Sequence, residues 1–354
     1  MTHRDGKSAA QRGLVYASNP GGHRGPYVAL FASLLGLEGL CAPASGAVLR
    51  RLIAAPRLLV ATFEDDLPTI TAAVMARAVL GRPTAGIFLS PQRCFVRDEL
   101  KCRIKKLAFM GYKRVPGLTL FTITPFEIEP RFAEVANVGA YDPQYWDMHD
   151  GMRIVMPPST PFSDEILAAA AGRPVVCMPG SLNAAKGFGF LAAALAATPA
   201  LAERLLIVAA GRVLPCARAS VETFVASGGL LYDRRLDDAE LESLYGIADA
   251  IWCCYEPAYD QASGIFGRAM QFGVPVIVRR GSLIERVGAA TPLSVIKVDF
   301  DDRNGLADAL RAPLPRKLDE SQMLAHAEKI GSWRQDFIRE LEKVLKLSRP
   351  LDDI

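Results

Sequence analysis

The chain has 354 residues, more than one hydrophobic core usually serves, so two domains with a core each are expected. Half of its residues are hydrophobic and 22% are charged, with 29 Gly and 24 Pro, which excludes a disordered, collagenous or low-complexity chain. Its 41 Lys and Arg stand against 38 Asp and Glu; a net charge of +3 is too small for a dedicated nucleic-acid footprint, and no nucleic-acid partner is expected.

Residues 1–12 are polar and patternless, and disorder is expected there. Residues 14–17 read as a short buried strand ending in the turn Asn19-Pro20-Gly21-Gly22-His23, and a helix starts near Pro26. Apolar runs follow at 58–62, 85–89 and 118–122, separated by segments of helical spacing such as 69–80. Short apolar strands alternating with helices predict an α/β fold with a parallel sheet covered on both faces.

The Pro-rich stretch Met156-Pro157-Pro158-Ser159-Thr160-Pro161-Phe162 reads as an interdomain linker, dividing a domain over 13–160 from one over 161–330. Beyond it the same grammar restarts. Strands are expected at 174–178, 205–209, 250–254 and 274–278, and helices at 188–196, 238–247 and 265–272. Residues 332–347 carry Trp333, Phe337, Ile338, Leu341, Val344 and Leu345 at helical spacing and form an expected amphipathic helix, set apart as a 331–354 segment. Two doubly wound, Rossmann-like domains predict ligand binding in a cleft at the carboxyl ends of the strands.

The seven cysteines, Cys41, Cys94, Cys102, Cys177, Cys216, Cys253 and Cys254, are odd in number and show no Cys-x-x-Cys spacing. They read as reduced core residues of a cytoplasmic protein, without a zinc role. The longest uncharged stretch, 187–202, contains Pro199 and falls short of the ~20 residues a bilayer span needs. No charged start leads into an apolar core, so neither export nor a membrane span is expected.

Four collinear features of the second half resemble the nucleotide-sugar domain of GT-B glycosyltransferases, and most closely the retaining family four. Gly180-Ser181-Leu182-Asn183-Ala184-Ala185-Lys186-Gly187 follows a strand and opens a helix, like that family's Gly-Arg…Lys-Gly element. Residues 205–211 are similar to its apolar strand ending in glycine. Residues 238–250 resemble its "EL…LY…AD" helix, and 263–277, with Ala269-Met270 and Gly273-Val274-Pro275, its "EAM..G.PVV" element. The series covers about 110 residues, and the final helix resembles the one that crosses back onto the first domain in this fold.

The resemblance implies transfer of a sugar from a nucleoside diphosphate sugar to a glycan or lipid-linked acceptor, with retention of configuration. The leaving diphosphate would be stabilised by Lys, Arg and helix termini, with no obligatory metal and no bound cofactor. Local chemistry points the same way: a glycine turn before a helix exposes N–H groups and the positive end of a dipole, and Lys186 adds a full charge. Ser263-Gly264 repeats the arrangement before the next helix. Gly180, Ser181, Lys186, Gly211, Arg212, Ser263, Gly264 and Arg268 are therefore the expected donor-binding residues, with Lys186, Asp260 and His23 the expected catalytic ones.

Two positions depart from the family. Ser181 stands where an arginine is usual, which removes a bidentate donor, and Arg212 after the next strand is a candidate substitute. The paired glutamates fall on Asp260 and Arg268, and a guanidinium has five donors and no acceptor for ribose hydroxyls. Either Arg268 meets a phosphate, or the usual donor is no longer bound. In the second case the chain would be a catalytically silent GT-B protein that binds glycan or regulates a partner.

On the acceptor side the resemblance places the first glycine-rich loop, with Gly21, Gly22 and His23, next to the substrate. His23 is one of four histidines and a candidate proton relay; a plain turn is the competing account. Glu64-Asp65-Asp66 and Gln92-Arg93 follow the next strands. Glu64 is kept as an acceptor-side candidate, although a helix N-cap with first-turn carboxylates explains the acidic run as well. Residues 101–114 combine six cations with Ile104, Leu107 and Ala108. This segment is either a soluble helix with a basic face or a peripheral contact with the inner face of a membrane.

Overall fold

The computed structural model describes residues 13–96, 100–148 and 156–347, so the disorder expected of 1–12 lies outside the described residues. The chain forms two compact units, one of residues 13–143 with 332–347 and one of 144–331. The division falls at Pro143, upstream of the Pro-rich stretch, because Gln144 and Asp147 bond to side chains of the Gly264–Gln271 helix. Pro161 opens a helix, Pro161–Ala170, whose N-cap Thr160 exchanges hydrogen bonds with Ser163 in a capping box.

The first unit holds a parallel six-stranded sheet in the order β2-β1-β3-β4-β5-β6. The strands are β1 Leu14–Ala17, β2 Glu38–Cys41, β3 Leu58–Val60, β4 Thr84–Phe88, β5 Leu118–Thr122 and β6 Val138–Gly139. The central strands are the apolar runs seen in the sequence, buried on both faces, as a parallel sheet between helices requires. β2 lies on the edge with alternating exposure, and its residues Glu-Gly-Leu-Cys carry no apolar run to announce it. Arg77 is buried, and its guanidinium donates to the carbonyls of Leu52, Ala55 and Pro83 and to the Thr84 hydroxyl, so the buried donors are satisfied.

The second unit repeats the plan, with β7 Val175–Pro179, β8 Leu206–Ala210, β9 Leu230–Tyr232, β10 Ala250–Cys253, β11 Val276–Arg279 and β12 Val295–Val298 in the order β12-β11-β10-β7-β8-β9. The winding direction reverses between β7 and β10, which pair in parallel through Ala250↔Val176 and Ile251↔Cys177. Both sheets are doubly wound and Rossmann-like, as expected.

The last helix runs over Glu320–Leu345, a full three turns before the start expected at Ser332. Asp319 and Gln322 exchange side-chain to backbone hydrogen bonds at 2.9 and 3.0 Å, a capping pair that starts it early. From Ser332 on it belongs to the first unit, where Phe337 packs 5.5 Å from Phe31 and 5.6 Å from Phe121. Five of the seven cysteines are buried; Cys41 and Cys216 are exposed, contrary to the core role expected of all seven, because each lies at the margin of its sheet or in a surface turn.

Candidate functional site

In a doubly wound sheet the loops flanking the reversal of strand order form the natural ligand crevice. In the second unit these are the loop after β7, Gly180 to Gly187, and the loop after β10. They are tied to each other. Trp252 Nε1 donates to the Lys186 carbonyl at 2.9 Å, and Glu256 N donates to the Ala185 carbonyl at 2.9 Å. Asn183 Oδ1 accepts from Lys186 N at 2.8 Å. Gly187 has φ +79°, and a Cβ there would lie 2.4 Å from the Cys254 carbonyl oxygen, so the two loops can approach only at a glycine.

With its backbone held on three sides, Lys186 projects a half-buried ammonium alongside Gly180. A Cβ on Gly180 (φ +85°) would stand 3.4 Å from Lys186 Nζ and 3.4 Å from Ile265 Cδ1. One point of empty space thus adjoins the lysine, the first loop and the start of the Gly264–Gln271 helix. Among the described residues no side chain or carbonyl pairs with this ammonium, and burial pushes its pKa below the usual lysine value. An unpaired, half-buried cation attracts an anion.

Ser263 caps that helix, accepting from Phe266 N at 3.3 Å while its hydroxyl meets the Tyr255 hydroxyl at 2.8 Å. Gly264 follows without a side chain, and the Gln144 side chain packs where a Cβ would stand, so the first turn is capped by Ser263 and bordered by Gln144. Arg268 lies in the last turn. Its guanidinium grips both carboxylate oxygens of Asp147, at 2.9 Å for Nη2 to Oδ2, and Gln271 Nε2 donates to Asp147 at 3.0 Å. The expected phosphate contact of Arg268 is replaced by this pairing, because four residues along the helix carry it away from the N-terminus and toward the 144–147 segment.

Asp260 is also committed. Its Oδ1 accepts from Arg279 Nη2 at 2.8 Å and from Leu283 N at 2.8 Å, joining the loop after β10 to the start of the Leu283–Ala289 helix. The expected catalytic carboxylate is thus ion-paired through Oδ1 and remains partly exposed, since Arg279 ends the neighbouring strand β11 directly beside it.

Across β8 the chain builds the other wall. Gly211 has φ +146°, and Leu182 and Val213 form an isolated parallel bridge. Gly180, Ser181, Gly211 and Arg212 line a cleft of about 260 Å³ together with Arg235 and Leu236. The neighbouring Arg218 and Arg234 are neutralised by Asp233 and Glu240 at 2.6 and 2.7 Å. Arg212 and Arg235 are exposed and form no direct ion pair among the described residues, although the Arg212 charge also acts on the Asp233 carboxylate that Arg218 holds. Arg235 was not singled out from the sequence, although an Arg-Arg pair at the carboxyl end of a strand, just before the Asp237 capping box, was the signal available.

The first-unit candidates sit at the carboxyl ends of β1 and β3. Asn19 Oδ1 accepts from Gly21 N at 3.0 Å, Gly22 turns the chain at φ +62°, and His23 is the N-cap of the Arg24–Leu35 helix with its ring stacked on Tyr27 at 6.2 Å. Arg24 takes both oxygens of Asp65, at 2.8 Å for Nη2 to Oδ1. Glu64 accepts from Leu89 N at 3.1 Å and Ser90 N at 2.8 Å, and burial pushes its pKa up. The N-cap account of the acidic run holds in position only. Asp66 is the N-cap of Leu67–Val79 but makes no side-chain capping bond, and that first turn holds no carboxylate.

No family model and no curated protein sequence matches the chain. Solved structures do. Anabaena HepE in complex with UDP and glucose superposes with a TM-score of 0.60 at 12% identity, over 94% of this chain and 97% of that one. Sucrose-phosphate synthase from Thermosynechococcus elongatus gives 0.55 at 14% identity, over 94% and 96%. WaaG, a glycosyltransferase involved in lipopolysaccharide biosynthesis, gives 0.54 at 14% identity, over 94% and 98%. The chain has the GT-B fold of two Rossmann-like domains that these structures share.

Proposed function

We propose that the chain is a glycosyltransferase that takes a sugar from a nucleoside diphosphate donor and passes it, with retention, to a glycan or lipid-linked acceptor. One observation carries the reading: the unpaired, half-buried ammonium of Lys186 beside Gly180 and the start of the Gly264–Gln271 helix. As the bond from sugar to diphosphate breaks, negative charge grows on the departing phosphate oxygen. Preorganised cations that cost nothing to reorient stabilise that charge most. Lys186 supplies one, and Arg212 with Arg235 replace the arginine missing at position 181. The fold likeness to a structure holding UDP and glucose supports the same donor class.

The test is calorimetry with uridine and guanosine diphosphates, followed by transfer assays over a panel of nucleotide sugars. Binding that depends on Lys186 supports the reading; activity untouched by Lys186→Ala refutes it. A second reading has its own observation. Asp260 and Arg268, at the family's two carboxylate positions, are both held in ion pairs within the chain. A catalytically silent GT-B subunit that binds glycan or regulates a partner would bind neither diphosphate.

A further inference from the structure

Five of the seven exposed large apolar side chains described in the first unit lie on two helices, and Leu80 and Val96 lie outside them. On Leu100–Tyr112, Leu100, Ile104 and Leu107 are 72%, 58% and 68% exposed, and their spacing places them in one stripe that continues to the exposed Gly111. The opposite side holds the helix to the sheet, with Cys102 and Phe109 buried and Phe109 stacked 3.7 Å from Phe88. The helix therefore has two apolar faces, and its own unit covers only one. On the Leu67–Val79 helix, Met75 and Val79 are 52% and 88% exposed, and a groove of about 410 Å³ lined by Met75, Val79, Gly111 and Arg114 joins the helices.

Charge identifies what covers this face. Residues 100–114 carry six cations and no carboxylate, and 67–82 carry none either. Lys106 is turned to Glu134, Lys113 to the Ala133 carbonyl and Lys105 over the Phe88 ring. Lys101 is exposed beside the stripe, as is Arg114, which donates to the Met110 carbonyl of this helix at 3.4 Å. An apolar stripe edged by cations matches the boundary between acyl chains and anionic headgroups. A second copy of the chain would instead set like charges against one another. We propose that this face, formed by the Leu100–Tyr112 helix and the Met75–Val79 edge, rests on an anionic lipid bilayer surface. The contact is superficial: among the described residues no helix is long and apolar enough to cross a membrane.

Co-sedimentation of the full chain with vesicles, without nucleotide, tests this independently of the donor site. Binding is expected to vesicles of phosphatidylcholine mixed with phosphatidylglycerol, weakening with salt, and not to phosphatidylcholine alone. Lys101→Gln and Arg114→Gln should each lower partitioning about fivefold. The double variant Ile104→Asp, Leu107→Asp should lower it roughly tenfold or more at an unchanged melting temperature. Val79→Asp, on the other helix, should also reduce it. Equal binding to both vesicle types, binding to neither, or a dimer dissolved by the double variant overturns the proposal.

Discussion

Gly211 lies so tightly on Gly180 that a Cβ at position 211 would come within 2.1 Å of the Gly180 carbonyl oxygen. The ends of β7 and β8 touch backbone to backbone, and this contact sets the floor of the cationic cleft. Gly211→Ala must push the two loops apart. The expected cost is ~1–3 kcal/mol in urea unfolding, with weaker nucleoside diphosphate binding because Ser181 and Arg212 move with their loops.

Lys186 trades stability for affinity. Its pKa is lowered by burial, so between that lowered value and 10.5 the folded chain holds fewer protons than the unfolded one, and stability rises with pH across that window. At neutral pH the full cost of burying the ammonium is present. Lys186→Met should accordingly raise the melting temperature while weakening nucleoside diphosphate binding roughly 30-fold, ~2 kcal/mol. In the unsubstituted chain, affinity should fall as alkaline pH removes the ammonium proton. Paired melting curves and calorimetry decide; a lysine that only supports the fold would show lower stability on substitution.

Arg212 and Arg235 stand in solvent, where a charge contact is worth ~1 kcal/mol or less. Alanine at either position should weaken diphosphate binding about threefold to fivefold and flatten its salt dependence, with no measurable change in unfolding. Calorimetry at two ionic strengths reads both effects. An unchanged affinity in the double variant would remove these arginines from the site.

The Arg268–Asp147 pair is structural. Arg268→Gln and Asp147→Asn should each cost ~1.5–3 kcal/mol in urea unfolding, and together less than the sum, since either change already breaks the pair. Nucleoside diphosphate affinity should change little. A large loss of affinity in Asp147→Asn with stability intact would return Arg268 to the donor site.

Glu64 offers a pH signature of its own. Burial raises its pKa despite two backbone donors, so as pH climbs from its unfolded value of about 4.3 through the raised one, the folded state holds the extra proton and stability falls. Urea unfolding across mildly acidic pH should show this slope in the unsubstituted chain and its loss in Glu64→Gln.

The strands that build the switch point were legible as apolar runs because a parallel sheet buries both faces, and β7, β8 and β10 are buried throughout. Edge strands were not. β2 and β9 are only partly buried and lack a continuous apolar run. The Gly180 to Gly187 loop and Lys186 could be found because turn and charge lie within eight residues of chain. Arg235 could not be ranked above Arg234 until Glu240 was seen to neutralise one and leave the other.

From the residues alone follow the alternation of strand and helix, the two glycine turns before helices and the ammonium beside the first of them, since each is written in neighbouring positions. Which charges remain available to a ligand is a different kind of fact. Arg268 meets Asp147 across 121 positions of chain and Asp260 meets Arg279 from another strand. Coulomb attraction acts through space, so only the folded arrangement could show that these two have charged partners within the chain while the Lys186 ammonium has none among the described residues.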